Sequence, residues 1–248
     1  MFPDIRLRRL RKTAGIRRML DAPLPGPEKF MWPTFVIEGA NRREEIESMP
    51  GQYRLSADEL LRDLEPLVET GIGSVLLFGL AEEEQKDDAG TYAYNESGAV
   101  QKAITAVKKE FPELIVSADA CVCAYTDHGH CGPLTDSGEV DNDAAIDNLA
   151  KICVSHAAAG ADIVAPSSMM DGQVQAIRQG LEESGFHNTI LMSYSTKFAS
   201  AMYGPFRDAE KSKPGEGNRK GYQASYGDLR TALRESELDE MEGADMLM

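Results

Sequence analysis

One short phrase occurs twice in this chain, as Ala159-Gly-Ala-Asp-Ile-Val164 and as Glu242-Gly-Ala-Asp-Met-Leu247. In both, a glycine closes a helical pattern and an apolar strand begins at once. The same alternation runs back through the sequence. Strand-length apolar runs lie at 32–37, 74–78, 114–118, 162–165 and 189–193. Between them come helical patterns. Ser56 and Glu59 have the spacing of a capping box, and Leu60, Leu61, Leu64, Leu67 and Val68 follow at helical intervals. Val100, Ile104 and Val107 mark the next helix, and 144–159, 174–181 and 228–241 carry three more. Strand followed by helix, repeated, predicts a parallel β/α architecture. The count is five whole units and the start of a sixth. Six strands satisfy a doubly wound sheet, but no Gly-x-Gly-x-x-Gly follows the first strand, which removes the dinucleotide-binding form of that fold. An eight-stranded barrel needs two more units. A chain that stops inside an apolar strand leaves an unpaired edge, so a fragment of a longer protein is expected.

Charge divides the chain unevenly. Over 248 residues the formal net charge is −15. Residues 1–18 hold Arg6, Arg8, Arg9, Arg11, Lys12, Arg17 and Arg18 against Asp4 alone, which leaves 19 basic and 40 acidic side chains on the rest. A body so acidic repels nucleic acid and anionic membrane. The basic stretch has no apolar core, so it does not read as a secretory signal. It is read as an arm that lies on another subunit or on the acidic body, joined by the Pro- and Gly-rich linker around 21–30. The expected organisation is an arm and linker over 1–30 and a catalytic domain over 31–248. No apolar run reaches the roughly 18 residues of a membrane span. Four cysteines make no disulfide framework in a chain this long, and a reducing cytoplasm is the expected location.

Three of those cysteines cluster in Asp119-Ala-Cys121-Val-Cys123-Ala-Tyr-Thr-Asp-His128-Gly-His130-Cys131-Gly132, directly after the third strand. Ligands of parallel β/α folds bind beyond the carboxyl ends of the strands. Three thiolates can hold one Zn²⁺ and leave a fourth position open for chemistry. By spacing alone the loop also suits incidental buried cysteines, and His128 and His130 are further candidate ligands. Cys153, on the apolar face of a helix, reads as core. Lys197 ends the fifth strand at the same rim. Burial there is expected to lower its pKa and free a neutral amine to attack a carbonyl, although a snorkelling surface lysine has the same spacing. Arg207 and Arg219 flank a Gly- and Lys-rich stretch that reads as a mobile lid, and guanidinium forks suit a substrate carboxylate. Asp119 reads as an acid/base group or a turn residue, and Ser167 as a substrate contact or a helix cap. Met169 and Met170 read as core.

Taken together, these segments resemble the porphobilinogen synthase (5-aminolevulinate dehydratase) family. The resemblance runs from Arg8 to Met248 through Ile46-Glu-Ser-Met-Pro-Gly51, Val75-Leu-Leu-Phe-Gly79, the cysteine loop, Ala165-Pro-Ser167, Met192-Ser-Tyr-Ser195, Tyr203-Gly-Pro-Phe-Arg-Asp208 and Glu242-Gly-Ala-Asp245. It implies a (β/α)8 TIM barrel, present here as about six of eight strands, with an arm that wraps a neighbour in a homo-oligomer, an octamer in the whole protein. The implied reaction condenses two 5-aminolevulinate molecules to porphobilinogen, with loss of two waters, on the way to heme and other tetrapyrroles. Cys121, Cys123 and Cys131 match its zinc ligands, and Lys197 a Schiff-base lysine. Arg207, Arg219 and Gln223 match residues that hold a substrate carboxylate. Asp119 matches an active-site acid/base, Ser167 a serine near the other substrate, and Glu235 an allosteric Mg²⁺ ligand.

Two departures stand out. The family pattern has Asp where this chain has Ser168. Its last strand continues Met-Val-Lys-Pro, and that lysine holds the first substrate, so this chain alone is expected to be inactive. The competing classes are a non-catalytic paralogue that only assembles with the enzyme, and a Schiff-base lyase of aldolase type, which the thiol loop disfavours.

Overall fold

The structure, a computed structural model, describes residues 6–22, 24–215 and 217–248. Of the segments singled out above, residues 1–5 and Pro23 of the arm and Glu216 of the lid stretch lie outside the described residues. Six parallel strands form the frame: β1 (Met31–Val36), then, after a hairpin of β2 (Arg43–Glu45) and β3 (Tyr53–Leu55), β4 (Ser74–Gly79), β5 (Ile115–Ala120), β6 (Ile163–Pro166), β7 (Ile190–Ser193) and β8 (Met246–Leu247). The sheet order is β2-β3-β1-β4-β5-β6-β7-β8. The hairpin lies outside β1, with β3 parallel to it and β2 antiparallel to β3. Eight strands are therefore present, but six follow the one-strand, one-helix order of a barrel, and among the described residues the sheet is open.

Each strand turns alternate residues to opposite faces. Val36, Val75, Leu77, Val116 and Ala118 pack against the outer helices. These are α2 (Ala57–Glu69), α3 (Ala99–Glu110), α4 (Asn142–Ala159) and α5 (Gln173–Glu183). Phe35, Leu76, Phe78, Ile163, Ala165 and Met192 form a separate inner core. A short helix, α6 (Gly204–Ala209), closes that inner core from the carboxyl ends of the strands. Its Phe206 sits edge-on to Phe78 at 5.1 Å and tilted against Phe35 at 5.7 Å between ring centroids. The last helix, α7 (Leu229–Glu242), is capped by Asp228 and ends at Gly243, which carries a positive φ of 106°.

Every predicted strand is present within two residues of its expected bounds. The predicted capping box of α2 does not form. Ser56 Oγ instead accepts from the Arg42 backbone and donates to Asp58, while Glu59 pairs with Arg62. A chain segment brought in by the hairpin has taken the serine that a purely local rule assigns to its own helix. Cys153 is fully buried in the core, as expected. In the arm a further helix, α1 (Ala14–Leu20), is capped by the Thr13 hydroxyl. Apart from half-buried Ile16 and Gly26, the described residues of the arm and linker are exposed, and the end of the linker meets the body, where the Phe30 carbonyl accepts from Ser74 Oγ.

The hairpin has a mechanical role. Arg54 on β3 is buried and donates from Nε to the Ala209 carbonyl and from Nη2 to the Asp208 carbonyl, both at 2.7 Å. Ser48, in the turn of the same hairpin, bonds the Pro205 carbonyl and the Asp208 carboxylate. The end of α6 is thus held by a side chain more than 150 residues away in sequence.

His156 on α4 is 1% exposed and neither ring nitrogen has a partner. Burial lowers its pKa from 6.5 to about 3. Above pH 6.5 the ring is neutral folded or unfolded, and the fold keeps its full stability. Below that, the unfolded chain takes up a proton that the folded chain refuses, at about 1.4 kcal/mol per pH unit. His156→Met is therefore expected to flatten the fall of the melting temperature between pH 6.5 and 4 relative to the parent, and parallel slopes would contradict the assignment. Arg54→Met leaves the buried Ala209 carbonyl without its partner. It is expected to cost about 1–3 kcal/mol in chemical denaturation and to speed proteolytic nicking around α6.

Candidate active site and metal centre

Pairing of the central strands brings the functional side chains together. Asp119 stands opposite Ala165, and Ala120 opposite Pro166, across β5 and β6. The strand runs on to Ala120, so Asp119 lies within β5 rather than in a turn after it, on the inner face with Ser117. Immediately beyond, the chain bends back on itself through bonds from Tyr125 and Thr126 to the Val122 carbonyl. That bend places Cys121, Cys123 and Cys131 side by side, with their sulfurs all within 4.8 Å of one another. Cys121 and Cys123 Sγ are 3.2 Å apart. All three are buried.

The donor set fits a divalent, thiophilic cation. The hydrogen bonds among the thiols act in both directions, while burial and mutual repulsion disfavour three neighbouring thiolates. The net effect lifts Cys131 to about 11 and raises Cys121 and Cys123 as well. A cation supplies the charge that makes the thiolates stable together. The two histidines are engaged elsewhere. His128 Nε2 lies 3.0 Å from the Asp88 carbonyl, and His130 Nδ1 lies 3.2 Å from the Tyr222 hydroxyl.

Lys197 follows β7 and is 6% exposed. Its Nζ donates to the Ser167 carbonyl at 2.8 Å and lies 5.6 Å from the Tyr203 ring and 5.8 Å from that of Tyr194. Its pKa moves opposite to the sequence expectation. Burial does disfavour the ammonium, but the three cysteines and Asp119 together outweigh it, and the net direction is up. The local sequence at Lys197 contains no sign of that negative field. Asp119 moves up too, to about 7, because of burial and then Glu210, against the pull of Lys197 and the Ser167 hydroxyl. Ser167 caps no helix, since α5 begins beyond Gly172. Its neighbour Ser168 is fully buried with an unpartnered hydroxyl.

The segment after α6 folds over these groups. Arg219 is 2% exposed and donates from Nη2 to the Gly129 carbonyl at 3.0 Å and the Ser212 carbonyl at 2.6 Å. Gly129 has φ +74°, and a Cβ there would meet the Lys213 carbonyl oxygen at 2.7 Å, so the thiol loop and the lid come this close only at a glycine. Backbone bonds Ala224 N to Lys197 O and Ala199 N to Ala224 O pin the far end of the lid to the lysine. Gln223 is buried with both amide atoms unpartnered, and Arg207 Nε is unpartnered too, which leaves both free to meet a ligand. A cleft of about 580 Å³ opens beside the cluster, bounded by His130, Met170, Asp171, Tyr222, Gln223 and Glu235. Lys197 and the cysteines do not line it; the lid covers them. Met170 is core as expected, but half-buried Met169 lines this cleft and holds the left-handed backbone, φ 62°, that is strained for a side chain of its size. Glu235 lies on α7 at the cleft edge, away from the thiols, where burial and then Asp171, Asp239 and Glu242 raise its pKa.

Sequence reasoning missed Glu210 and Arg54. Both are charged residues whose burial comes from chain segments distant in sequence, and no local spacing marks them.

The family model for delta-aminolevulinic acid dehydratase matches residues 4–248. The delta-aminolevulinic acid dehydratase of Synechococcus elongatus is 49% identical over 251 residues, covering 100% of this chain and 76% of that protein. That of Bacillus subtilis is also 49% identical, over 98% of this chain and 74% of its own length. The Escherichia coli protein is 47% identical with the same coverage. The crystal structure of the Toxoplasma gondii enzyme, solved with its product porphobilinogen, superposes with a TM-score of 0.93 at 39% identity, over 100% of this chain and 70% of that one. With the family model matched over residues 4–248 and relatives 49% identical along nearly the whole chain, the chain belongs to the delta-aminolevulinic acid dehydratase, or porphobilinogen synthase, family.

Proposed function

We propose that this site performs the family's condensation of two 5-aminolevulinate molecules to porphobilinogen, with Lys197 as the covalent group. The observation that carries this reading is a lysine amine sealed beside three thiols and a carboxyl whose pKa stands near 7. Nζ, once neutral, attacks the substrate keto carbon. The tetrahedral adduct loses its oxygen as water, and the C=N bond that forms makes the neighbouring carbon acidic. Asp119, with a pKa of about 7, is matched to giving and taking that proton at neutral pH. Arg207, Arg219 and Gln223 hold the substrate carboxylate, and Ser167 contacts the other substrate. The unpaired polar atoms of Arg207, Arg219 and Gln223 support the carboxylate role. The covering lid excludes water that would otherwise hydrolyse the C=N bond.

Cys121, Cys123 and Cys131 would hold Zn²⁺, which when bound would supply a Lewis acid for a substrate group and neutralise the thiolate field around Lys197. Glu235, among like-charged neighbours at the cleft edge, would hold Mg²⁺ as a modulator. The arm, with Leu7, Leu10, Met19, Leu20 and Leu24 exposed, wraps a second copy in a homo-oligomer, octameric in the whole protein. The reaction runs in the cytoplasm. No helix among the described residues is long and apolar enough to cross a membrane.

Borohydride reduction in the presence of 5-aminolevulinate is expected to fix one substrate on Lys197, read by peptide mass, and to fix none on Lys197→Ala. Label elsewhere, or undiminished labelling of the variant, would reject the assignment. Metal analysis of the purified chain is expected to give about one Zn²⁺ held by the three thiolates. Cys123→Ser is expected to lose most of it, and an unchanged zinc content in that variant would remove the cysteines from the centre.

A further inference from the structure

Glu210 has no role in the chemistry above, yet it is buried at the heart of the site. It follows α6 directly and is 4% exposed. Lys211, next in the chain, adopts the left-handed backbone at φ 51°, and the resulting turn brings Ser212 back beside it. Glu210 Oε2 accepts from Ser212 Oγ at 2.9 Å and from Cys123 Sγ at 3.5 Å. Among the described residues it forms no ion pair. Arg219 Nη2 reaches the Ser212 hydroxyl beside it, at 3.3 Å from Oγ, and forms no ion pair with the carboxylate. A buried carboxylate is stable when it is paired with a cation or bound to a metal. This one has no paired cation and touches a thiol of the cysteine cluster.

The distance has a second meaning. In a tetrahedral zinc site, with Zn–S about 2.3 Å and Zn–O about 2.0 Å, neighbouring sulfur and oxygen ligands stand about 3.5 Å apart. Glu210 Oε2 is already at that separation from Cys123 Sγ, but it stands outside the set of three sulfurs that lie within 4.8 Å of one another, so the carboxylate swings in to complete the centre. We propose that Glu210 is the fourth protein donor of the metal centre, closing a Cys3Glu site in the resting molecule. This rests on the reading of the thiols as a metal site. It carries a consequence for the reaction: the fourth position is not held by water alone, and an incoming substrate must displace a carboxylate. The Arg54 clamp on the preceding carbonyls, Asp208 and Ala209, then also fixes the donor's backbone.

The whole 248-residue chain, Glu210→Ala and Glu210→Gln are loaded with Co²⁺, whose visible bands report the donor set, and titrated with azide. Chelator competition measures affinity for Co²⁺ and Zn²⁺, and circular dichroism with apo-protein melting checks the fold. Glu210→Ala is expected to bind both ions about 10–100-fold more weakly, the range seen when groups supporting a metal site are lost. Its cobalt bands should shift with azide at concentrations that leave the parent unchanged. Glu210→Gln, which keeps the shape, should fall between them. Equal affinity in all three, or a parent that takes azide as readily as Glu210→Ala, overturns the proposal. A lowered apo melting point with unaltered cobalt bands overturns it in favour of a purely structural residue. If the parent shows no thiolate-to-cobalt absorption at all, the metal reading of the cysteines fails, and Glu210 as a donor fails with it.

Discussion

The register of three short parallel strands fixes everything at this site. With Asp119 opposite Ala165 and Val164 opposite Leu191, the carboxyl ends of β5, β6 and β7 finish on one level. The loop after each strand therefore starts beside its neighbours. The first supplies the thiols, the second Ser167, and the third Lys197. A slip of one residue in any pair would turn Asp119 out of the inner face and move Lys197 off the Ser167 carbonyl. Hydrophobic alternation guards against that slip. Val116, Ala118 and Val164 must meet the helices, while Ile163 and Ala165 must meet the inner core.

On that level the chemistry depends on exclusion. Phe206 stacks on Phe35 and Phe78 and closes the inner core from above. Arg54 and Ser48 hold the helix that carries Phe206 in place. Beneath the lid, opposite charges face each other out of reach of bulk solvent. An ammonium stands among thiols and a carboxyl, each shifting the others. Low polarity makes such interactions strong in both directions, which is why the direction at Lys197 follows its neighbours rather than its burial.

The frame and most of the site could be read in the sequence because they follow from short-range rules. Strands of four to six apolar residues between glycines have few alternative readings, and a lysine or cysteine directly after such a strand falls at the carboxyl rim by topology alone. What escaped depends on distant segments. The strands of the hairpin β2–β3 are three residues each and carry Arg43, Glu44 and Glu45, so no alternation marks them. The Ser56 cap was lost because that hairpin delivers the Arg42 backbone to the same hydroxyl. Glu210 resembles any surface glutamate in sequence. Its burial exists only once α6 has folded over the thiol loop.

The contact at Gly129 is one of several that join the thiol loop to the lid. Arg219 donates both to the thiol loop, at the Gly129 carbonyl, and to the lid, at Ser212. Ordering of one is thus linked to ordering of the other, and such linkage is reciprocal. Whatever free energy an ion among the thiols contributes to the closed lid, the closed lid contributes to holding the ion, by the same factor. Binding of an ion among the thiols and binding of a ligand under the lid would then be coupled through the position of the segment that carries Arg219.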